Sequence, residues 1–271
     1  MLSLQQKQDY QQNGFLVIEK TLTIQEIDIL SQKLNIIIAE YLKVGHSTLI
    51  EQGVVFEQNE KAIRTINGLH IKQKIFKELC SHPSILPPVF ELLNDTNLYV
   101  HQFKVNLKHA FDGDVWPWHQ DYIYWQRGDG MPEPRAVSVT IPLDDVVEFN
   151  SPLMFIPQSH NFGILDIEDI AHEDDNSSWV NHVSHNLKYQ ISQKVVTDLA
   201  NRFGIVVPKP RKGSVMLFDS NIAHASTNNL SPFSRRFIII TYNPISNIDP
   251  NFVSQRPDFL VNKDFTPVQL L

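Results

Sequence analysis

His119 and Asp121 stand two residues apart in Trp116-Pro117-Trp118-His119-Gln120-Asp121, and His224 lies far downstream, shortly before Arg235. Side chains at i and i+2 on a strand project to the same side. His119 and Asp121 can therefore hold one ion together, and His224 from a neighbouring strand completes one face of an octahedron. Two histidines and one carboxylate leave coordination positions open, which suits oxygen-activating ferrous iron. The same set also binds zinc, whose bound water would hydrolyse an ester or amide. The spacing alone is weak, because His172-Glu173-Asp174 repeats it within an acidic stretch containing Glu168, Asp169 and Asp175. Nothing in that stretch excludes water. Around His119, by contrast, Trp116, Trp118, Tyr122, Tyr124 and Trp125 can wall a pocket.

Short β-rich runs must position these residues. Leu98–Leu107, Ala136–Pro142, Leu153–Ile156, Ser214–Phe218 and Arg235–Tyr242 read as strands, joined by Pro, Gly and Asn turns. That texture predicts a sandwich or barrel, not alternating βαβ units. On the last run Arg235, Phe237, Ile239 and Thr241 share one face. An arginine turned into an apolar interior is costly without a partner, and a bidentate carboxylate supplies one. The alternative turns Arg236 inward and leaves Arg235 paired at the surface.

The first 95 residues or so read as a helical scaffold covering one sheet. A short strand, Phe15–Ile18, interrupts it. Thr23-Ile24-Gln25-Glu26 is a capping box that starts a helix running to about Leu42, and a second helical stretch covers roughly 72–94, interrupted by His82-Pro83 and Pro87-Pro88. A polar insertion at about 161–213, with His172, His182 and His185, is either a lid over the pocket or a surface excursion. The chain reads as a single domain over 1–271.

Composition narrows the functional classes. The 271 residues are 42% hydrophobic and 20% charged, enough for a packed core. A net charge of −7 argues against a nucleic-acid partner. One cysteine, Cys80, excludes an internal disulfide and any cysteine-rich metal site. It follows Phe76 and Leu79 in an apolar pattern and reads as a buried, inert thiol in a reducing compartment. The first ten residues lack the apolar core of a signal peptide, and no apolar run approaches the ~20 residues of a membrane helix. The expectation is a soluble, cytoplasmic protein with a small-molecule substrate and neither nucleic-acid nor membrane partners. A homodimer is compatible with the sequence.

From Phe15–Ile18 to Arg235 the chain resembles the phytanoyl-CoA dioxygenase (PhyH) family of Fe(II)/2-oxoglutarate-dependent oxygenases. The likeness is sharpest from His119-Gln120-Asp121 through Pro152–His160, and from His224-Ala225-Ser226 to Arg235. Within the family it is most similar to the ectoine hydroxylases, through His119, Asp121, Trp125, Asp129-Gly130-Met131-Pro132 and Arg135. The resemblance implies a mainly β fold with flanking helices, a double-stranded β-helix (cupin-like jelly roll). It implies iron on His119, Asp121 and His224, with 2-oxoglutarate and O2 as cosubstrates. Arg235 and Ser226 would take the distal carboxylate of 2-oxoglutarate, with Asn106 and Ser138 nearby. Lys104 stands where the family carries a basic arginine. Gln102, Trp125 and Phe218 would face the organic substrate, and Tyr122 joins them from the aromatic wall. Where ectoine enzymes carry Phe-Glu-Thr, this chain has Tyr122-Ile123-Tyr124.

The implied activity is oxidation, by hydroxylation, of an unactivated C–H bond in a small polar or amino-acid-like metabolite, with release of succinate and CO2. Related halogenases replace the carboxylate of Asp121 with a small residue, so its presence favours hydroxylation, or another oxidation such as desaturation or dealkylation, over halogenation. Ectoine 5-hydroxylation proper and tailoring of a secondary metabolite fall in the same class. A zinc-dependent hydrolase and a non-catalytic jelly-roll binding protein are the readings from other classes.

Overall fold

Thr23 opens the longest helix as its sequence indicates: its hydroxyl accepts from Glu26 N (3.2 Å), while Glu26 accepts from Thr23 N (2.7 Å). The computed structural model describes residues 1–169, 179–183 and 186–271, so His172-Glu173-Asp174 and His185 lie outside the described residues. The N-terminal third contains α1 (Leu4–Asn13), β1 (Phe15–Ile18), α2 (Ile24–Tyr41), α3 (His46–Ile50), β2 (Val54–Phe56) and β3 (Ile63–Asn67). It closes with α4 (Leu69–Lys72), α5 (Lys74–Leu79) and α6 (Leu86–Leu93). The β-rich part runs β4 (Leu98–Lys108), β5 (Trp116–His119), α7 (Tyr122–Asp129), β6 (Val137–Pro142) and β7 (Leu153–Phe155). Then come β8 (Ile167–Asp169), β9 (Tyr189–Ile191), α8 (Gln193–Phe203), β10 (Val215–Asp219), β11 (His224–Ser226) and β12 (Arg235–Pro244).

The strands form a seven-stranded sheet, β1-β10-β6-β12-β4-β3-β2, and a three-stranded sheet, β5-β11-β7, with β8 and β9 as a separate pair. The two main sheets meet over Phe155, Phe218 and Phe237. The result is a jelly roll with helices on its outer face. Strand alternation sorts the side chains. From β12, Ile238 and Ile240 join Phe103 and Val105 of β4 in the core beneath α2, α5 and α6, against Ile27, Leu34, Phe76 and Val89. Arg235, Phe237 and Ile239 take the opposite face, into the barrel.

Two expectations need correction. The N-terminal third is more than a helical cover, because β2 and β3 extend the large sheet past β4. All five residues of β3 are buried, so it shows none of the alternation that marks a half-exposed strand. The helical stretch at 72–94 breaks across Cys80–Ile85, around His82-Pro83 as expected, but Pro87-Pro88 does not interrupt it: both prolines sit in the first turn of α6, where a missing N–H costs little.

Asp219 ends β10 and accepts from Asn221 N (2.7 Å). Burial pushes its carboxyl up to about 7, against the pull of that hydrogen bond. The folded chain therefore keeps a proton that the unfolded chain loses near pH ~4. Its contribution is complete below that value and is lost as pH rises towards about 7. Asp219→Asn should remove this slope and, on the order of 1–2 kcal/mol, stabilise the protein above neutrality. Urea unfolding at about pH 5 and about pH 8 checks it: an unchanged slope in the variant would contradict the assignment.

Candidate active site

β5 and β11 are hydrogen-bonded neighbours, with His119 directly opposite His224. Asp121 arrives differently from the strand picture. It occupies the N-cap of α7 with helical backbone angles (φ −67°, ψ −38°), so a turn and not strand alternation brings its carboxylate round. The outcome is one cluster: a ligand atom from each of His119, Asp121 and His224 lies within 4.8 Å of the others, and all three residues are buried.

The hydrogen bonds fix which nitrogen is available. His119 Nδ1 lies 2.7 Å from the Pro117 carbonyl and His224 Nδ1 lies 3.0 Å from the Ile222 carbonyl. A carbonyl only accepts, so each Nδ1 carries the proton and each Nε2 presents a lone pair. Burial, then the neighbouring His224, pushes His119 down to about 3, and burial also lowers His224. Both imidazoles are neutral at physiological pH, as metal ligation requires. Burial opposes the charge on Asp121, but the Lys104 ammonium beside it holds its carboxyl below the ordinary range. Lys104 Nζ sits 3.5 Å from Asp121 Oδ1, and Asp121 Oδ2 is buried with no hydrogen-bond partner among the described residues. Two neutral nitrogens and one ionised, under-satisfied carboxylate fit a divalent cation.

Two cavities flank this cluster. The first is lined by Asn106, Leu153, Phe218, Ser226, Arg235, Phe237 and Ile239, together with the ligands, Lys104 and Trp116. Arg235 is 1% exposed, and its Nε and Nη1 are buried without a partner among the described residues. Its guanidinium lies 3.9 Å from the centre of the Phe237 ring. Burial pushes Arg235 down to about 9, which leaves it charged at neutral pH. Ser226 Oγ is likewise buried and unpartnered among the described residues. A buried cation beside a free hydroxyl is a receptor for a carboxylate. Arg236 points the other way, to Asp144 in two bonds (2.9 and 2.7 Å). Ser138 lies deeper, bonded to Thr241 (3.0 Å), and does not line this cavity.

The second cavity is lined by Gln102, Lys104, Trp116, Tyr124, Trp125, His182, Val183, Arg256 and Leu260, with His119 and Asp121. Phe218 is on the Arg235 side instead. Tyr122 lines neither cavity: it is buried, and its hydroxyl donates to the Pro132 carbonyl (2.8 Å). His182 and Val183 come from the 161–213 insertion, which Arg64 holds through Val183 O (2.9 Å). Tyr124 ties the insertion in at Tyr189, accepting from its N (3.0 Å) and donating to its O (3.1 Å). Arg256 and Leu260 come from the segment after β12, where no sequence period marks them. Arg256 pairs with Asp129 (2.6 Å) and keeps a buried, unpartnered Nε among the described residues. A roomier cleft, about 660 Å³, opens between α2 and the loops before β12, away from the metal ligands. Its Arg236 and Asp144 are already paired, so the chemistry belongs to the flanked cluster.

The chain is similar to known oxygenases along almost its full length. Residues 10–237 match the phytanoyl-CoA dioxygenase (PhyH) family. L-proline trans-4-hydroxylase of Streptomyces griseoviridis is 36% identical, over 98% of this chain and 94% of that protein. Ectoine dioxygenase of Nocardia farcinica is 30% identical, over 97% of this chain and 86% of that protein. The crystal structure of EctD from S. alaskensis with 2-oxoglutarate and 5-hydroxyectoine superimposes with a TM-score of 0.81. There the identity is 27%, with coverage of 100% of this chain and 87% of that one. An intact ligand set beside an unpaired buried arginine removes the grounds for a hydrolase or an inert binding fold. The chain belongs to the phytanoyl-CoA dioxygenase family and is a non-haem iron, 2-oxoglutarate-dependent dioxygenase.

Proposed function

We propose that this enzyme hydroxylates a small, cyclic, amino-acid-type substrate through which a carboxylate is recognised. One observation carries the reading: two buried guanidinium groups, Arg235 and Arg256, line two adjoining cavities that share His119 and Asp121, each with an unpartnered nitrogen among the described residues. One suits the far carboxylate of 2-oxoglutarate, and the other suits a carboxylate on the substrate. Proline and ectoine, named for two of the relatives, are both compact rings bearing one carboxylate. The substrate-side cavity sets Gln102 and Arg256 among Trp116, Tyr124 and Trp125, a lining that suits a compact ligand with one charged end.

Iron on His119, Asp121 and His224, with 2-oxoglutarate and O2, supplies the oxidising power that exchanges C–H for C–OH. The chain supplies placement. Arg235 and Ser226 receive the distal carboxylate of the cosubstrate, beside Asn106, whose Oδ1 is fixed by the Thr65 hydroxyl (3.1 Å). Lys104 borders both cavities and keeps Asp121 ionised. Gln102 and Arg256 orient the substrate against Trp116, Tyr124 and Trp125. The 161–213 insertion acts as cover, through His182 and Val183, within one catalytic domain. Ectoine is the second substrate of choice, because Tyr124, where ectoine enzymes carry Thr, alters the cavity wall near Asp121. Among the described residues no helix is long and apolar enough to cross a membrane. The lone, buried Cys80 suits a cytoplasmic setting.

The test starts with anaerobic Fe(II) and 2-oxoglutarate, which should give a visible charge-transfer band only together. Aerobic incubation with L-proline, then ectoine, should yield succinate and a product heavier by one oxygen atom. Arg256→Ala should raise KM for the accepted substrate roughly tenfold to a hundredfold, the value of a charged hydrogen bond. Turnover of neither compound, or an unaltered KM in Arg256→Ala, would count against a carboxylate-bearing substrate of this class.

A further inference from the structure

α7 begins on a metal ligand and ends on the partner of Arg256. Asp121 is its N-cap and Asp129 its last residue, so about 12 Å of rise along the helix axis separates the two positions. Asp129 is buried, its side chain 2% exposed. Its Oδ2 lies 2.6 Å from Arg256 Nη1 and 3.3 Å from His101 Nε2, and its Oδ1 accepts from Ser254 Oγ (3.0 Å). Burial opposes the charge on Asp129, but Arg256 and His101 hold its carboxyl below the ordinary range. His101 is oriented in turn by Tyr99, whose hydroxyl lies 3.1 Å from Nδ1.

The glycines beside Asp129 show that this corner is shaped for the C-terminal segment. Gly130 caps α7 in the left-handed conformation (φ 69°), and a Cβ there would stand 2.2 Å from the Phe252 ring. A Cβ on Gly128 would stand 2.9 Å from Arg256 Cδ. Ser254 Oγ lies equally 3.0 Å from Gly128 O, so its one proton is shared between that carbonyl and Asp129 Oδ1, and it accepts from Arg256 N (3.2 Å). Gly128, Asp129 and Gly130 thus form a seat onto which residues 252–256 close. The seat holds Arg256 by Nη1 and leaves Nε buried and unpartnered among the described residues, in a residue that lines the substrate cavity.

We propose that Asp129 is a positioning residue for the substrate: from the far end of α7 it fixes the Arg256 guanidinium at a set distance from the metal ligands. That distance decides which substrate carbon faces the metal. The inference rests on the reading that Arg256 receives the substrate's carboxylate. It assigns the Asp129-Gly130 corner the task of setting substrate register, and it makes the C-terminal segment part of the specificity apparatus. An ionised Asp129 leaves Arg256 one defined orientation, whereas an amide at 129 weakens the clamp and lets the guanidinium swing.

The test is a double-mutant cycle on the iron-loaded enzyme with L-proline, and ectoine as second probe. The Fe(II)/2-oxoglutarate band verifies that each variant keeps its metal centre. Asp129→Asn should raise KM roughly tenfold, increase succinate formed per hydroxylated product, and spread hydroxylation over more than one ring carbon. In the Arg256→Ala background the same substitution should add little, because its target is gone. A purely structural Asp129 predicts full additivity and unchanged coupling and regiochemistry. If Asp129→Asn loses the band, Ser254→Ala takes its place and should shift coupling and regiochemistry in the same direction by a smaller factor. Full additivity, or an intact Ser254→Ala enzyme with wild-type coupling and regiochemistry, overturns the role of Asp129. An unaltered KM in Arg256→Ala overturns the underlying substrate reading instead.

Discussion

His224→Ala abolishes turnover and eliminates the Fe(II)/2-oxoglutarate absorption band. The physical ground is the buried cluster: three ligand atoms within 4.8 Å, two of them neutral imidazole nitrogens whose tautomers are fixed by backbone carbonyls. Alanine removes one lone pair and leaves a hole that cannot refill with another donor. His119 and Asp121 then face the metal with Lys104 only 3.5 Å from the carboxylate, a pair that favours an ion bridge over metal binding. The loss should far exceed the ~10–100-fold typical of residues that merely support a ligand. Asp121→Ala should behave alike, since it removes the only negative charge among the ligands. Metal analysis together with succinate release checks both, and near-normal activity in either variant would remove that residue from the ligand set.

Arg235→Ala raises the 2-oxoglutarate requirement by about a hundredfold or more, whereas Arg236→Ala leaves it near the original value. Truncating one partner of a buried, charged hydrogen-bonded pair costs about 2–5 kcal/mol, and a tenfold change corresponds to about 1.4. Arg235 is such a partner in waiting, sealed beside the metal ligands with two nitrogens unengaged among the described residues. Arg236 already has Asp144, Asn35 and Ser31 and is partly open to solvent. Its loss should therefore cost roughly 1 kcal/mol of stability and little cosubstrate affinity. Titrating the absorption band with 2-oxoglutarate gives the ranking directly. The opposite ranking would place the cosubstrate on the helical side of β12, against Arg236.

Most of this site could be read from the chain, for reasons that differ by residue. His119, Asp121 and His224 stood out because an aromatic-rich strand end, a decoy in a polar stretch and a paired downstream histidine can be told apart by surroundings. Alternation alone left Arg235 and Arg236 open, because Ile238 and Ile240 make the second face of β12 as apolar as Phe237 and Ile239 make the first; the family resemblance singled out Arg235. The strands from Leu98 onward announced themselves by β-branched and aromatic content. β2 and β3 did not, because a strand buried on both faces and carrying Arg64 has no alternation to detect. Ser138 and Tyr122 lie in suitable elements, but hydroxyl bonds to Thr241 and Pro132 take them out of the cavities, and pairings of that kind leave no mark in a sequence. Arg256 was out of reach for a similar reason. It sits in an irregular segment rich in Asn, Asp and Pro, and only the fold brings it back to Asp129.

Both metal-binding imidazoles take their orientation from the carbonyl two residues earlier in their own strand or turn, Pro117 for His119 and Ile222 for His224. A mutation can change any side chain, but it cannot delete a main-chain carbonyl. The part of the centre that sets tautomer and aim is therefore insulated from drift in the surrounding sequence. The walls contributed by Gln102, Tyr124, Trp125 and Arg256 carry no such duty. Evolution can exchange them to suit a new molecule while the oxidising centre stays in working order, so the scaffold can change its diet without rebuilding its furnace.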